Sequence, residues 1–402
     1  MNSTLRATAV ALSAIGVAAP LQAPAAGFQL REGSATAIGT ALAGRTANDR
    51  DVSLSMHNPA ALRGVQGIEV SGGFSLIAPR GEGVASNPTF AGSTLRDDPG
   101  LNAVIPAFML GWRMTPEVVL GLAVNTPFGL ATEYGRNFAG SIDAVRSELT
   151  TINATPQIAW EATPSLTFGA GITLQYADAK LTQYNDTFDT IAGIEGDGWS
   201  VGLKVGMIAE PFDGTQVGVT FQTGFRHSLE GRAFVDGLIS APGAADFQLP
   251  PVVSVGLIQD ITDDFRLMAE AEWIGWRRFD AIEIETTAPG FSNDPQNYRN
   301  GFMLALGGEY DVSDRLTVRA GAAFDKTPTN KADRTLRVPD GDRWWFAAGA
   351  SYDITERIGI DAAYLYILIN DTRVTLREDP GVNVRFNDSD VHLFTVNLNY
   401  RF

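Results

Sequence analysis

The regular alternation of apolar with polar or small residues, from Val65 to Phe402, constrains the fold more than any other feature of this chain. It divides into about fourteen segments, each long enough for a tilted transmembrane strand of roughly 9–11 residues. In Leu166–Tyr176, every second residue is apolar and the residues between are Thr, Gly or Gln. Leu316–Phe324 and Phe394–Phe402 repeat the pattern. A strand between lipid and a barrel lumen needs one apolar face and one small or polar face.

The connections between these segments alternate between short and long. The six short ones are Met114–Pro116, Ala162–Pro164, Pro211–Gly214, Asp260–Asp263, Asp311–Asp314 and Asp353–Glu356. Their Asp, Ser and Thr side chains favour tight turns. The seven long ones are Arg80–Gly100, Phe128–Ser147, Leu181–Glu195, Gly231–Asp246, Ala281–Gln296, Thr327–Val338 and Arg373–Ser389. The sequence therefore predicts an all-β fold, a fourteen-stranded antiparallel transmembrane β-barrel in a bacterial outer membrane, with short periplasmic turns and long extracellular loops.

The composition agrees with this fold and excludes several classes of function. Mean hydropathy is near zero and no apolar run of about 18 residues follows the N-terminus, which argues against transmembrane helices. The chain has no cysteine, so a disulfide framework and thiolate metal sites are excluded. A net charge of -16 argues against a nucleic-acid partner. In an outer membrane, the acidic surface has lipid and lipopolysaccharide as its neighbours.

Aromatic residues near the ends of the segments indicate contact with the two membrane interfaces, where an amphipathic ring is favoured. They are Trp112, Trp160, Trp199, Tyr310, Trp344, Tyr352 and Tyr400. The chain ends on Phe402, and an aromatic last strand is typical of barrels read by the outer-membrane assembly machinery. We therefore expect that machinery to be a partner.

Two segments precede the barrel. Residues 1–25 resemble a secretory signal peptide, with Arg6 before an apolar run and Ala23-Pro24-Ala25 as a cleavage pattern. Residues 26–63, which we call the hatch, are rich in Gly, Ala, Ser and Thr and lack a core-forming stripe. A segment of small residues fits a narrow space, so the sequence predicts that the hatch plugs the lumen of a barrel formed by residues 64–402.

Motifs along nearly the whole chain resemble the FadL/TodX-type outer-membrane transporters of long-chain fatty acids and other hydrophobic molecules. The matching motifs are Ala26-Gly27-Phe28-Gln29-Leu30, Asn58-Pro59-Ala60, Phe128–Tyr134, Arg319-Ala320-Gly321 with Phe324-Asp325, and Pro339-Asp340-Gly341-Asp342-Arg343-Trp344. The chain departs from the family pattern at Ala61 and Arg50. The resemblance implies a fourteen-stranded barrel with an N-terminal hatch that includes Phe28, Asn58, Pro59 and Ala60.

The resemblance also implies a transport route. A ligand is captured among the extracellular loops, moves into a lumenal pocket and leaves sideways where the third strand kinks. The candidate lateral opening is Asn125, Pro127, Phe128 and Gly129, because Pro removes a ladder donor and Gly weakens strand pairing. The alternative is that Pro127 only ends a strand. We also expect Asn58–Ala60 to lie near this kink and to satisfy its unpaired backbone.

Inward-facing cations are candidates for a ligand carboxylate. The pattern turns Lys204, Arg226, Arg266, Arg319, Arg343 and Arg401 inward. Arg343, next to the inward-facing Trp345, is the main ligand-binding candidate, followed by Arg319 and Lys204. Each could instead pair with a lumenal carboxylate, since a buried unpaired cation is unfavourable.

Two other classes of function remain to be compared with transport of hydrophobic ligands. An enzyme would need a motif around His57, His227 or His392, and the sequence has no GxSxG or HExxH. No catalytic residue, metal site or cofactor is predicted. A general or small-solute porin would need rows of lumenal charge, whereas the predicted inner face is mostly small, with apolar residues such as Met268 and Leu365. Within the transporter class, fatty acids and aromatic or aliphatic hydrocarbons are alternative ligands.

Overall fold

Fourteen antiparallel strands form a closed barrel in the computed structural model, which describes residues 27–377 and 382–402. The last strand pairs with the first from Glu69–Arg401 to Ala85–Val384, and this pairing closes the wall. The predicted fourteen-stranded fold is confirmed. The predicted signal peptide, residues 1–25, lies outside the described residues.

The strands are numbered in chain order, and five of them consist of two segments. They are β1 (Ile68–Ala85), β2 (Ala103–Arg113), β3 (Val118–Asn125 and Gly129–Glu133), β4 (Arg146–Thr163), β5 (Leu166–Asn185), β6 (Thr190–Phe212), β7 (Thr215–Gln222 and Phe225–Val235), β8 (Ile239–Leu249 and Val252–Asp260), β9 (Phe265–Ile274 and Ala281–Thr286), β10 (Gly301–Ser313), β11 (Leu316–Asp325), β12 (Arg343–Asp353), β13 (Ile358–Ile369 and Thr372–Arg377) and β14 (Val382–Arg401). Arg96–Asp97 and Asp294–Pro295 are short strands in loops.

Helices are few and short. Among the described residues, one α-helix spans Ala35–Gly39, and 3-10 helices span Val52–Met56, Pro59–Gly64 and Trp276–Arg278. Within the described part of the chain, no helix has the length and apolar character needed to cross a membrane.

The two sets of alternating residues in the sequence form the outer and the inner face of the barrel wall. On β5, Phe168 and Ile172 are 43% and 57% exposed, whereas Thr173 and Gln175 are fully buried. All seven aromatic residues predicted at the membrane interfaces are exposed on the outside. Inside, the predicted apolar residues Met268 and Leu365 are buried.

The prediction that Arg226 faces the lumen is wrong. Arg226 points outward, and its side chain is 75% exposed. The strand β7 is interrupted between Gln222 and Phe225, and this break reverses the alternation, so that Phe225 and His227 are buried instead.

The six short turns are where the sequence predicts them, but three of the long connections are mostly strand. The connections continue the β5–β6, β7–β8 and β13–β14 hairpins beyond the membrane; they are Leu181–Glu195, Gly231–Asp246 and the described part of Arg373–Ser389. Cross-strand pairs stabilise these extensions, as between Lys180 Nζ and Glu195 Oε2, 2.8 Å apart. Their polar composition resembles that of loops because both faces of each hairpin lie outside the lipid.

Residues 27–64 pack against the inner wall of the barrel, and nearly all of them are buried. Side chains cap the three short helices: Ser34, Asp51 and Asn58 each accept a hydrogen bond from a backbone N–H of the first turn. Glycines in the wall allow the close approach. A Cβ at Gly321 would collide with the carbonyl oxygen of Thr40.

Four hatch arginines form ion pairs with carboxylates of the wall. Arg31 lies 2.8 Å from Glu272 and 3.0 Å from Asp325. The remaining wall pairs are Arg45 with Glu270 and Glu272, Arg50 with Glu309 and Asp311, and Arg63 with Glu210. The hatch is therefore positive where the surrounding wall is negative, and the buried charges of each compensate the other.

Candidate functional site

The barrel wall has a gap between β2 and β3. Their regular pairing ends at Phe108–Val124, and the next contact is an isolated bridge between Gly100 and Thr132. Among the described residues, no backbone pair joins β2 and β3 between these two points. The other edge of β3 stays paired with β4 on both sides of Pro127. Pro127 thus interrupts the strand rather than ending it.

The first residues of the hatch fill the β3 edge of this wall gap. The N–H of Leu30 donates to Pro127 O at 2.8 Å, and the N–H of Gly129 donates to Phe28 O at 2.9 Å. Gln29 lies opposite Phe128 as in an antiparallel sheet. Phe28–Leu30 therefore acts as a short extra strand that satisfies backbone groups which lipid could not.

The expected position of Asn58–Ala60 is wrong. The Asn58 side chain donates to Thr46 O at 2.6 Å and to Met207 O on β6 at 3.1 Å. It lies against Gly206, on the part of the wall formed by β5 and β6, and not at the kink. Asn58 therefore connects two parts of the hatch and binds the hatch to the wall, while Phe28–Leu30 covers the wall gap.

Pro106, on the opposite side of the wall gap, was not recognised from the sequence. Arg113 donates its N–H toward β1, to Gly67 O at 2.8 Å. Pairing of β2 with β1 is regular along Ala103–Trp112, so the even-numbered residues direct their backbone toward β3. Pro106 therefore has its missing N–H at the gap, where a donor would have no partner.

An apolar pocket opens above the hatch on the extracellular side. Its walls come mainly from β4 to β8, and most of its lining is apolar. Leu130, Leu149, Leu181, Ile194, Leu229 and Phe247 line it, with Glu148, Glu195 and Arg337 among the polar lining residues. Such an apolar lining suits a hydrocarbon chain.

An aromatic cluster adjoins the apolar pocket and contributes the Phe28 and Phe279 rings to its lining. The cluster consists of Phe28, Phe128, Trp276, Phe279 and Tyr298. The ring centroid of Phe28 lies 4.7 Å from Trp276, 5.1 Å from Phe279 and 6.2 Å from Phe128. The Phe28 ring comes from the hatch and the Phe128 ring from the kink of β3. The aromatic cluster therefore connects the bottom of the apolar pocket to the wall gap.

A polar pocket lies on the other side of Phe28–Leu30. Lys204, His57, Arg31 and Arg45 line it together with Asn125, Pro127 and Phe128 of the kink. Lys204 Nζ donates to Met56 O at 2.6 Å. Burial, followed by the charges of Arg45, Lys204 and Arg31, lowers the pKa of His57 well below its usual value. The structure thus brings the predicted Lys204 together with the predicted lateral opening.

Arg343 and Trp345 point into the barrel as predicted, but Arg343 is not exposed to either pocket. Arg343 is fully buried, and its Nε lies 2.9 Å from Asp340 Oδ1. The second oxygen of Asp340 accepts the N–H of Gly27 at 2.9 Å. Trp345 packs against the hatch, with the Arg31 guanidinium 5.7 Å from its ring centroid. Arg343 and Asp340 therefore anchor the beginning of the hatch.

Arg319 lies apart from these residues, near the periplasmic turns. Its Nε donates to Glu309 Oε2 at 2.8 Å, and Glu309 also pairs with Arg50 and Arg266. In the part of the chain that the structure describes, no group of three or more His, Asp or Glu residues is arranged to hold a metal ion.

Comparison with known proteins gives consistent matches along the chain. The family model of outer membrane protein transport proteins (OMPP1/FadL/TodX) matches residues 16–402. The 47 kDa outer membrane protein of Pasteurella multocida is 26% identical, with 97% of each chain covered. The long-chain fatty acid transport protein of Escherichia coli K12 is 24% identical over 97% of this chain and 98% of its own.

Two solved structures share the fold. A FadL homologue of Pseudomonas aeruginosa superposes with a TM-score of 0.85 at 23% identity, covering 93% of this chain and 99% of its own. The Pseudomonas putida toluene transporter TodX superposes with a TM-score of 0.69 at 17% identity, covering 87% and 94%.

Proposed function

We propose, since this chain belongs to the OMPP1/FadL/TodX family of outer membrane transport proteins, that it takes up long-chain fatty acids and releases them sideways through the wall gap. The family consists of transport proteins and not of enzymes, and its members are outer membrane proteins. The observation that carries the proposal is that Phe28–Leu30 separates the apolar pocket from the wall gap.

Displacement of Phe28–Leu30 is the step that opens the route. The segment holds β3 by two backbone hydrogen bonds and contributes Phe28 to the lining of the apolar pocket. A chain entering the aromatic cluster competes with the Phe28 ring for the same space. When Phe28 leaves, the apolar pocket, the polar pocket and the wall gap become continuous.

Lateral exit agrees with the physical chemistry of the ligand. A buried CH₂ group gains about 0.8 kcal/mol relative to water, so release of a long hydrocarbon into the aqueous periplasm is unfavourable. Passage through the wall gap keeps the ligand in an apolar phase. Pro106 and the interruption at Pro127 keep that part of the wall free of regular strand pairing.

Fatty acids are favoured over neutral hydrocarbons by the cations of the polar pocket. A carboxylate that follows its chain past Phe128 meets Lys204, whose ammonium is bonded to a neutral carbonyl oxygen. A relative of similar length is named a long-chain fatty acid transport protein. Hydrocarbons are the second candidate, because solved structures with this fold include toluene transporters. The general porin is disfavoured by the buried hatch.

The test is to identify what the barrel binds. Lipid extracted from protein purified in a short-chain detergent should contain fatty acids by mass spectrometry. In competition binding, oleate should displace that lipid more strongly than oleyl alcohol or toluene. Equal competition by the three would contradict the proposed preference for a carboxylate, and large ohmic conductance steps of the intact protein in a planar bilayer would favour the porin.

A further inference from the structure

A second candidate site lies on the extracellular face, away from the transport route. Four basic side chains line one cleft of about 570 Å³, which we call the basic cleft. Lys331 and Arg334 come from the loop between β11 and β12, while Arg373 and Arg385 come from β13 and β14. Asp371 is the one acidic residue in its lining.

The charges of the basic cleft are not compensated within the described residues. None of its four cations forms an ion pair with a carboxylate there. Six other basic residues on the extracellular side do have such partners, although Arg277, Arg278 and Arg299 form no ion pair within the described residues. The pairs are Arg96 with Glu82, Arg136 with Asp189, Lys180 and Arg232 with Glu195, Lys326 with Asp342 and Arg337 with Asp294. In a chain with a net charge of -16, carboxylates are abundant, so their scarcity in this cleft needs an explanation.

Two of the arginines lie in an arrangement that is unfavourable without an anion. Arg373 and Arg385 are direct partners across the β13–β14 ladder, and like charges in that position repel. Arg334 is half-buried, and its side chain donates to Thr329 Oγ1 at 3.2 Å and to the carbonyl oxygen of Arg373 at 3.4 Å. Burial lowers the pKa of Arg334, although Asp340 and Asp342 act in the opposite direction.

The position of the basic cleft indicates where an anion would come from. Val374 and Val384 are buried on the inner face of the hairpin, so the neighbouring Arg373 and Arg385, both exposed, point to its outer face. Leu368, which is 41% exposed on the lipid side, lies five residues before Arg373, at most about 17 Å of extended chain. We therefore place Arg373 and Arg385 just outside the lipid-facing wall, at the headgroup layer of the outer leaflet.

We propose that the basic cleft binds phosphate groups, presented by lipopolysaccharide molecules that surround the barrel. Arginine suits this role because its planar fork of N–H donors matches the oxygens of a phosphate. Thr375 and Asn387 supply further polar groups in the lining. A phosphate between Arg373 and Arg385 removes their repulsion and adds an anion beside Arg334, which forms no ion pair within the described residues.

The proposal is tested with the full barrel in a neutral detergent, by measuring the affinity for lipopolysaccharide that retains its lipid A phosphates. The variant Arg373→Gln/Arg385→Gln should weaken binding by about tenfold or more, because two charge-assisted contacts to phosphate are lost. The matched control is Arg136→Gln/Arg232→Gln, which removes two arginines that are paired with carboxylates on other extracellular segments. Its affinity should stay within about twofold of the wild type, because these arginines lie outside the basic cleft. Both variants should keep the heat-modifiable mobility of a folded barrel.

Two further ligands distinguish phosphate groups of the lipid from free phosphate. Lipopolysaccharide treated with phosphatase should bind the wild type as weakly as intact lipopolysaccharide binds the double variant. Inorganic pyrophosphate should compete with the intact lipid only at much higher concentration. Equal affinity of wild type and double variant for the intact lipid would overturn the proposal, as would unchanged binding of the dephosphorylated lipid. Tight binding of pyrophosphate with no binding of lipopolysaccharide would overturn the assignment to the membrane.

Discussion

At the scale of single residues, Asp340 gives a physical meaning to the motif Pro339–Trp344. Its carboxylate is shared between the Arg343 guanidinium and the N–H of Gly27. The neighbouring Asp342 accepts a hydrogen bond from Lys326 Nζ at 2.6 Å. The two acidic residues therefore connect the start of β12 to the hatch and to the end of β11.

We expect the substitution Arg343→Met to destabilise the barrel by about 3–5 kcal/mol, because it leaves the buried Asp340 without its counterion. The measurement is the thermal midpoint of unfolding in detergent. The double variant Arg343→Met/Asp340→Asn should recover part of the loss. Unchanged stability of Arg343→Met, combined with loss of oleate but not oleyl alcohol binding, would instead assign Arg343 to the ligand carboxylate.

We expect Lys204→Met to weaken binding of oleate by about 1.5–3 kcal/mol, the range for a hydrogen bond to a charged group. Binding of oleyl alcohol should change little, since it has no carboxylate to meet the ammonium. Lys204→Arg should retain most of the affinity for oleate. The matched control is Lys180→Met on the extracellular β5–β6 hairpin, and an equal loss for acid and alcohol would show that Lys204 only supports the hatch.

His57 should make the hatch less stable in acid. Its pKa is lower in the folded protein than the usual value of about 6.5, so the unfolded state binds the proton more readily. This contribution to stability is present above that value and is lost as the pH falls below it, by up to about 1.4 kcal/mol per pH unit. Hydrogen exchange of the hatch amides between pH 7 and 5 should show the change, and His57→Gln should reduce it. Identical pH profiles for wild type and variant would rule out this role for His57.

At the scale of the elements, the strands could be predicted from the sequence because each has a period of 2 and a membrane-crossing length. The break in β3 could be predicted because Pro127 marks it, but the break in β7 could not, since no proline lies between Gln222 and Phe225 where the alternation reverses. The extra strand Phe28–Leu30 is too short to show any period, and its partner lies about a hundred residues later in the chain. For the same reason, Asn58 was assigned to the wrong part of the wall.

Locking Phe28–Leu30 to β3 should stop transport. Gln29 and Phe128 face each other between two flanking hydrogen bonds, where Cα atoms lie about 4.5 Å apart, within the range that a disulfide can bridge. The variant Gln29→Cys/Phe128→Cys should lose fatty acid uptake when oxidised and regain it on reduction. The absence of native cysteine leaves this as the sole disulfide.

The matched control for this cross-link joins two ordinary wall positions. Ser75 and Thr395 are partners on β1 and β14, with their hydroxyl oxygens 2.7 Å apart. Ser75→Cys/Thr395→Cys should not affect uptake in either redox state. Normal uptake by a fully oxidised Gln29→Cys/Phe128→Cys barrel would contradict the lateral route and favour passage straight down the lumen.

At the scale of the whole molecule, we expect the wall to fold without the hatch, but not the hatch without the wall. The wall is closed by its own strand pairing, and among the described residues its backbone bonds to the hatch are the two at the gap and one from the Gly44 N–H to Ala269 O on β9. We expect deletion of residues 26–63 to leave a heat-resistant barrel with raised conductance, since the wall carboxylates then become hydrated. Channel recordings and heat-modifiable mobility measure both properties. Failure of the deleted protein to assemble would show that the hatch is part of the framework.

The ion pairs between hatch and wall have a consequence for the time course of folding. Arg31 meets Glu272 and Asp325 at separations of 241 and 294 residues along the chain. We expect the hatch to acquire these partners only after β9 and β11 have formed, because it precedes them in the chain and has no core of its own. We therefore expect the hatch to become ordered late in biogenesis, once the wall presents the carboxylates that pair with its four arginines.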